Sequence, residues 1–204
     1  IKEMIIKANQ SKRGIKIVMG DRNSEISYPQ IIWEKFPENL KQVLVDNLAY
    51  SKTMVVSVVD GINQVEYDTA PPILKTFFDS CCVKDMPRMP IDRNNGLKTE
   101  EIMKKFLNSE YKFLKQEMAY PNYDAKAESG SITAFSFGKD SLLSYALLEE
   151  AGMEQELVYV KDMFDCEANA KDMLKTRFEK EFKRQINVVN DSSDKLFIEM
   201  HDKF

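Results

Sequence analysis

The sequence predicts an α/β protein whose carboxyl-terminal half is a parallel sheet carrying helices. Three observations predict it. From Ile132 onward, β-prone runs alternate with helical patterns, and alternation of that kind gives parallel strands joined by helices. The first run, Ile132–Phe135, opens directly into Ser136-Phe137-Gly138-Lys139-Asp140-Ser141, a tight polar loop followed by a helical pattern. Before it, residues 121–130 run polar, with Pro121, Asn122, Asp124 and Glu128-Ser129-Gly130, and mark a junction. Three segments are therefore expected: an amino-terminal α/β or α+β domain over 1–120, a linker over 121–130, and a nucleotide-binding domain over 131–204.

In the amino-terminal segment, Ile15–Met19 followed by Gly20-Asp21 reads as a strand and turn. Leu40, Val43, Leu44, Leu48 and Ala49 have helical spacing, which predicts a helix over Glu38–Tyr50 beginning near Pro37. Met54–Val59 is rich in β-branched residues and predicts a strand. Asp60-Gly61 then turns the chain, and Gln64–Tyr67 returns as its partner. Pro71-Pro72 is expected to open a helix through Cys82, which Pro87 and Pro90 break, with Asn94-Asn95-Gly96 as a loop. Thr99 is expected to cap a long helix from Glu100 to about Met118, with Ile102, Met103, Phe106, Leu107, Phe113, Leu114 and Met118 on its apolar face.

In the second half, the first helix carries Leu142, Leu143, Tyr145, Ala146 and Leu147 and stops at Gly152. Leu157–Val160 is the second strand. A helix from about Glu167 to Phe182 follows, with Ala170, Leu174, Phe178 and Phe182 on one face, and Ile186–Val189 is the third strand.

Composition narrows the function classes. The 204 residues carry a formal net charge of −4, which argues against a generally basic nucleic-acid binder. No apolar run approaches the roughly 20 residues that span a bilayer, so a membrane is excluded as a partner. Cys81, Cys82 and Cys166 are an odd set without metal spacing, which fits a reducing, cytoplasmic compartment. Cys81 and Cys82 read as small helix residues. Cys166, after the second strand, has no activating base nearby. His201 alone makes no zinc signature.

The loop carries the chemistry. A strand, a tight polar loop and a helix N-terminus together form an anion site, in which backbone N–H groups and the helix dipole favour negative charge. Ser136 and Ser141 offer hydroxyl donors, and Gly138 allows close approach of a ligand. The P-loop pattern is absent, because Asp140 follows Gly138-Lys139 and Thr133 stands where its first glycine would be. The dinucleotide fingerprint G-x-G-x-x-G is absent as well. Ligands of parallel sheets bind at the carboxyl ends of the strands, where Ser136, Lys161-Asp162 and Asn190-Asp191 all fall.

Ser136–Ser141 resembles the signature of the PP-loop ATP pyrophosphatases, S-G-G-x-D-S, with Phe137 in place of the first glycine. The resemblance covers roughly residues 130 to 190. It implies a Rossmann-like domain of the HUP type, incomplete here, because members of the family continue with further strands. It implies ATP cleaved between its α- and β-phosphates, with a substrate oxygen adenylated and pyrophosphate released. Deazaguanine-synthase-like and tRNA-thiolating members place such chemistry in nucleotide or tRNA-base modification. The partners implied are an adenine nucleotide and an acceptor such as tRNA or a modified-base precursor, and a homodimer is admitted.

On that resemblance, Ser136 and Ser141 bind the β- and γ-phosphates, and the Phe137, Gly138 and Lys139 stretch wraps them. Lys139 adds charge. Asp140 either holds Mg2+ or caps the helix. Lys139 and Asp140 are the catalytic candidates. Adenine is expected against Ala134, Phe135, Val160 and Lys161, with Phe135 and Phe164 equally readable as core. Glu66 and Asp68 could face one side of an extended segment as a second acidic pair, or simply end a solvated strand. The basic residues of 171–184 could contact tRNA, although interleaved Asp172, Glu179 and Glu181 favour a solvated face. The competing reading is a non-catalytic adenine-nucleotide-binding regulator on the same fold.

Overall fold

A computed structural model describes residues 3–88, 98–118, 120, 130–162 and 168–197. The chain begins as an antiparallel meander of β1 (Glu3–Ser11), β2 (Gly14–Met19) and β3 (Arg22–Ser27). Apolar residues alternate along these strands, so Ile6, Ala8, Ile15, Ile17, Met19 and Ile26 fall on one buried face. Gly14 is required where β2 meets β3, since a Cβ there would lie 1.9 Å from the Ile26 carbonyl oxygen. Gly20 makes the next turn at φ +62°, as Gly20-Asp21 predicts.

Helices α1 (Gln30–Lys35) and α2 (Glu38–Thr53) follow. Helix α2 buries Val45, Ala49 and Tyr50 in the core that covers β1. The β-prone run after it is not a strand. Tyr50 accepts the Met54 N–H, and Val56–Val59 forms a one-turn helix, α3. β-Branched residues favour strands only where a pleated surface awaits them; here Val56 and Val58 are buried directly off the end of α2. Strand β4 (Gln64–Tyr67) consequently pairs not with that run but in parallel with β1.

Helix α4 (Lys75–Asp85) starts two residues beyond Pro71-Pro72 and continues past Cys82. The expected loop at Asn94–Gly96 lies outside the described residues. Helix α5 (Thr99–Leu107) begins with Thr99 inside it and has no side-chain cap. It stops at Asn108, and Glu110–Phe113 forms strand β5, parallel to β4. The expected helix to Met118 therefore gives way to a strand. Within that stretch Glu110-Tyr111-Lys112-Phe113 has a period of two, and the pairing with β4 prevails over helical spacing.

The second half is a βαβαβ unit: β6 (Ser131–Ala134), α6 (Lys139–Glu150), β7 (Gln155–Asp162), α7 (Ala168–Phe182) and β8 (Ile186–Asp191), closed by a 3-10 turn at Ser193–Phe197. Helix α6 ends as expected at Gly152, whose φ of +68° lets the Met153 N–H reach the Leu148 carbonyl. β6, β7 and β8 are parallel. Both helices cover one face, where Tyr145 and Phe178 pack on Phe135, Leu157, Tyr159 and Ile186.

The two halves share one sheet of eight strands in the order β5-β4-β1-β2-β3-β8-β7-β6. Four of its pairings are parallel and three antiparallel. The protein is thus α/β, with β5, β4 and β1 parallel at one end, β8, β7 and β6 parallel at the other, and the antiparallel pairings between them. The seam is the short antiparallel match of Ile26 with Asp191 and Ser27 with Asn190. Lys52 of α2 reinforces it with an ion pair to Asp191 at 2.6 Å, and Arg22 donates to the Leu196 carbonyl at 2.7 Å.

Candidate functional site

The loop after β6 is built on a backbone that glycine normally supplies. Phe137 has φ +63°, a left-handed conformation that costs a side-chain-bearing residue roughly 1–2 kcal/mol. Its ring holds it there, meeting Phe135 and Tyr159 edge-on at 5.1 and 5.5 Å between centroids. Gly138 instead has an ordinary φ of −80° as the residue flanking α6. A Cβ on Gly138 would stand 3.5 Å from Ser136 Oγ, in ordinary contact. The position with glycine-like backbone is therefore 137, whereas Gly138 itself has a backbone that any residue adopts.

Helix α6 has no side-chain cap. Its first internal bond is Leu142 N–H to the Gly138 carbonyl at 3.0 Å. The N–H groups of Lys139, Asp140 and Ser141 precede that ladder and lie at the positive end of the helix dipole. The capping role considered for Asp140 is not realised; its exposed side chain sits in the first turn. Ser136 is exposed. Ser141 is buried, and its hydroxyl donates to the Gly138 carbonyl at 2.9 Å. Its Oγ lies 3.5 Å from that of Ser136. In this arrangement Ser136 is the hydroxyl open to a ligand.

The expected adenine wall is divided by the pleat of the sheet. Phe135 lies in the core beneath the helices, while Ala134 and Val160 are exposed on the other face. Lys161 points to α7, its Nζ 2.5 Å from Asp172 Oδ2. A base resting at the carboxyl edge would therefore meet Ala134 and Val160, not Phe135. Phe164 and Cys166 lie outside the described residues, as does His201.

The other candidates resolve into structural roles. Asp68 accepts the Ala8 N–H at 2.9 Å and so extends the β1–β4 pairing. Burial, helped by Asp68, raises the pKa of buried Asp46 against its hydrogen bonds from Gln42 and Ala70. Burial pushes the Cys82 thiol up to about 11, which leaves little thiolate at neutral pH. On α7, Lys175 pairs with Glu179 and Arg177 with Glu181, while Arg184 reaches Glu149 of α6. The basic residues of that helix are thus largely neutralised. An open groove of about 500 Å3 beside Asp172, Met173, Thr176, Arg177 and Lys180 includes no residue of the loop.

One cluster was not foreseen. Asp191 at the carboxyl end of β8 is buried; burial raises its pKa, but the Lys52 ammonium and bonds from Ser193 outweigh that and hold it below the usual carboxylate range. The only sequence signal for it is a strand ending in Asn190-Asp191. Its partner comes from the other half of the chain.

Among the described residues, no group of three acidic, cysteine or histidine side chains could hold a metal ion, and no helix is long and apolar enough to cross a membrane. The chain matches no family model, no curated protein and no solved structure.

Proposed function

We propose that Ser136–Ser141 binds the phosphates of ATP and that the chain is an ATP-binding enzyme of the PP-loop, HUP-type class. In this reading it adenylates a substrate oxygen with release of pyrophosphate, in nucleotide or tRNA-base modification within the cytoplasm. The observation that carries the reading is the left-handed Phe137 between a parallel strand and an uncapped helix N-terminus. Strained backbone of that kind clusters at ligand sites, because the surrounding structure must enforce it.

The donor set suits a polyphosphate. Three helix N–H groups lie at the start of α6, the exposed Ser136 hydroxyl precedes them, and the exposed Lys139 adds a cation within reach of that end. Mg2+ usually reaches proteins through one or two carboxylates together with substrate phosphates. The single carboxylate of Asp140 fits that mode, and the bound ion would neutralise phosphate charge. The chain's own contribution is preorganisation. As the acceptor oxygen bonds to the α-phosphorus and the α–β bridging bond breaks, the electron pair leaves with pyrophosphate. Fixed N–H dipoles and Lys139 meet that charge without reorganising.

A second reading, a non-catalytic nucleotide-binding regulator, is favoured by the Ser141 hydroxyl being turned onto Gly138. Calorimetry with magnesium-ATP, wild type against Gly138→Val, tests the site. Binding abolished by the substitution is expected, and equal binding by both would remove the assignment. Pyrophosphate release with candidate acceptors then separates enzyme from regulator.

A further inference from the structure

The geometry points to Lys161 as a second cationic ligand of the polyphosphate, held in readiness by Asp172, whose carboxylate stands in for the absent anion. The inference rests on the phosphate reading of Ser136–Ser141 and adds two residues to it. Along β7, Leu157 and Tyr159 are buried beneath α6 and α7, whereas Glu156, Val160 and Asp162 are exposed on the other face. Lys161 is therefore the next residue after Tyr159 on the helix side of the strand. Tyr159 is also the residue whose ring meets Phe137 at 5.5 Å between centroids. β6 ends at Ala134, opposite Val158, and the Phe135 N–H still donates to the Val158 carbonyl at 2.7 Å. β7 runs on to Asp162. Lys161 thus stands on the stretch of β7 beyond the end of β6, about 6.6 Å past Tyr159 toward the carboxyl edge, on the face where α6 begins.

Charge explains where its side chain rests. Helices α6 and α7 each follow a parallel strand and begin at this carboxyl edge, so the positive ends of both dipoles face it. Lys139 adds a cation at the start of α6. In that setting Asp172 of α7 takes up the Lys161 ammonium at 2.5 Å, and the two side chains are 30% and 48% exposed.

An ion pair so open to water is weak. A polyphosphate carries more negative charge than one carboxylate, and its oxygens form strong, charge-assisted bonds with an ammonium. Binding therefore exchanges partners: Lys161 leaves Asp172 and turns to the phosphates over the start of α6. Asp172 borders the open groove along α7, so its released carboxylate returns to water. Lys161 is a phosphate ligand in this arrangement, and Asp172 is a positioning residue. A pair that merely fastened α7 to β7 would behave otherwise. Removing either partner would then lower stability and leave ligand affinity alone.

Calorimetry of the full chain tests this, with magnesium-ATP and, separately, with inorganic pyrophosphate. The variants are Lys161→Met, Asp172→Asn and the two combined, each checked for native circular dichroism, beside Gly138→Val. Lys161→Met should weaken both ligands roughly tenfold. Asp172→Asn should tighten both roughly threefold, because Lys161 no longer has a partner to leave. In the Lys161→Met background, Asp172→Asn should change nothing. A folded Lys161→Met chain that binds like wild type overturns the proposal, and so does a folded Asp172→Asn chain that binds no tighter. Tightening by Asp172→Asn that persists without Lys161 is general relief of negative charge and overturns it too. In each of those cases the sensitivity to Gly138→Val leaves the phosphate site standing. If wild type binds neither ligand, or Gly138→Val binds as well as wild type, the phosphate reading falls and this inference falls with it.

Discussion

The two ends of the sheet treat solvent differently. In the amino-terminal part, the face away from α2 carries Lys7, Asn9, Lys16 and Glu25 with Ile5 among them, and the edge strand β5 adds Glu110 and Lys112. In the carboxyl-terminal part, the face away from α6 and α7 shows Ile132, Ala134 and Val160 beside Glu156 and Asp162, and the pairing of Ile26 with Asp191 makes it continuous with the face that α2 covers. Parallel strands are normally covered on both faces, whereas antiparallel sheets tolerate water on one, and here only the middle of the sheet is antiparallel. The first region turns mostly charged and amide groups to water there, whereas the second leaves Ile132 and Val160 among its exposed groups. Left-handed backbone is distributed the same way. Gly20 and Gly61 carry it in the first region, whereas Phe137 and Lys183 carry it alongside Gly152 in the second.

The largest test of this contrast is in the cores. Tyr50 is fully buried among Tyr67, Tyr111 and Phe113, and Phe178 sits in a smaller cluster with Phe135 and Tyr145. Truncating either to Ala is expected to cost about 3–5 kcal/mol. The consequences should differ. Because the seam is a short strand match, a few polar contacts and the packing of Leu196 and Val189 on the amino-terminal core, Phe178→Ala should open most of β6–β8 while β1–β5 stay folded. Hydrogen exchange read by mass spectrometry separates the cases. Uniform loss of protection in Phe178→Ala would mean the halves fold as one unit.

A smaller effect sits at the seam and contrasts two carboxylates. Asp191 has a folded pKa below its unfolded value, so its stabilising contribution is present above the unfolded value, about 3.9, and is lost as pH falls through the folded value. Asp46 has a raised pKa, so its contribution is present at low pH and lost as pH rises through the folded value. At pH 7, Asp191→Asn should destabilise by about 1–3 kcal/mol, less than a fully buried pair because Lys52 is about a third exposed. Asp46→Asn should leave stability unchanged or raise it by up to about 1 kcal/mol. Denaturant titrations at pH 7 and pH 3 check both signs. Equal effects of the two substitutions would break the contrast.

Legibility in the sequence followed how local the determinants were. The βαβαβ order and the loop at Ser136–Ser141 were readable, because strand runs, Gly152 and the polar loop act through near neighbours. The amino-terminal part was less so. β1 and β3 mix polar and apolar residues, and the β1–β2 hairpin turns at Lys12-Arg13, which carries no Gly or Asn signal. Met54–Val59 and Glu110–Phe113 were misassigned because the surface each packs against comes from a distant part of the chain: Tyr111 Oη bonds the Met54 carbonyl and Ser57, tying the two segments together. At the site, the motif located the loop, but side-chain direction was hidden. Only the pleat separates Phe135 from Ala134, and only Asp172 explains where Lys161 points.

The finest test concerns Phe137 itself. Glycine in place of a buried ring normally does worse than alanine, since it adds backbone entropy to the same lost contacts. At φ +63° the order should invert, because alanine retains the left-handed penalty that glycine escapes. Both Phe137→Ala and Phe137→Gly lose the packing on Phe135 and Tyr159, so their difference isolates the backbone, and Phe137→Gly should be more stable by about 1 kcal/mol. Gly61→Ala in the amino-terminal part is the reference. At φ +61°, with nothing within 4 Å of the added Cβ, its cost is conformational alone and should match that difference. Thermal unfolding of the three variants measures both. If Phe137→Ala proves the more stable of the pair, the loop does not hold the glycine-like backbone on which the proposed phosphate site depends.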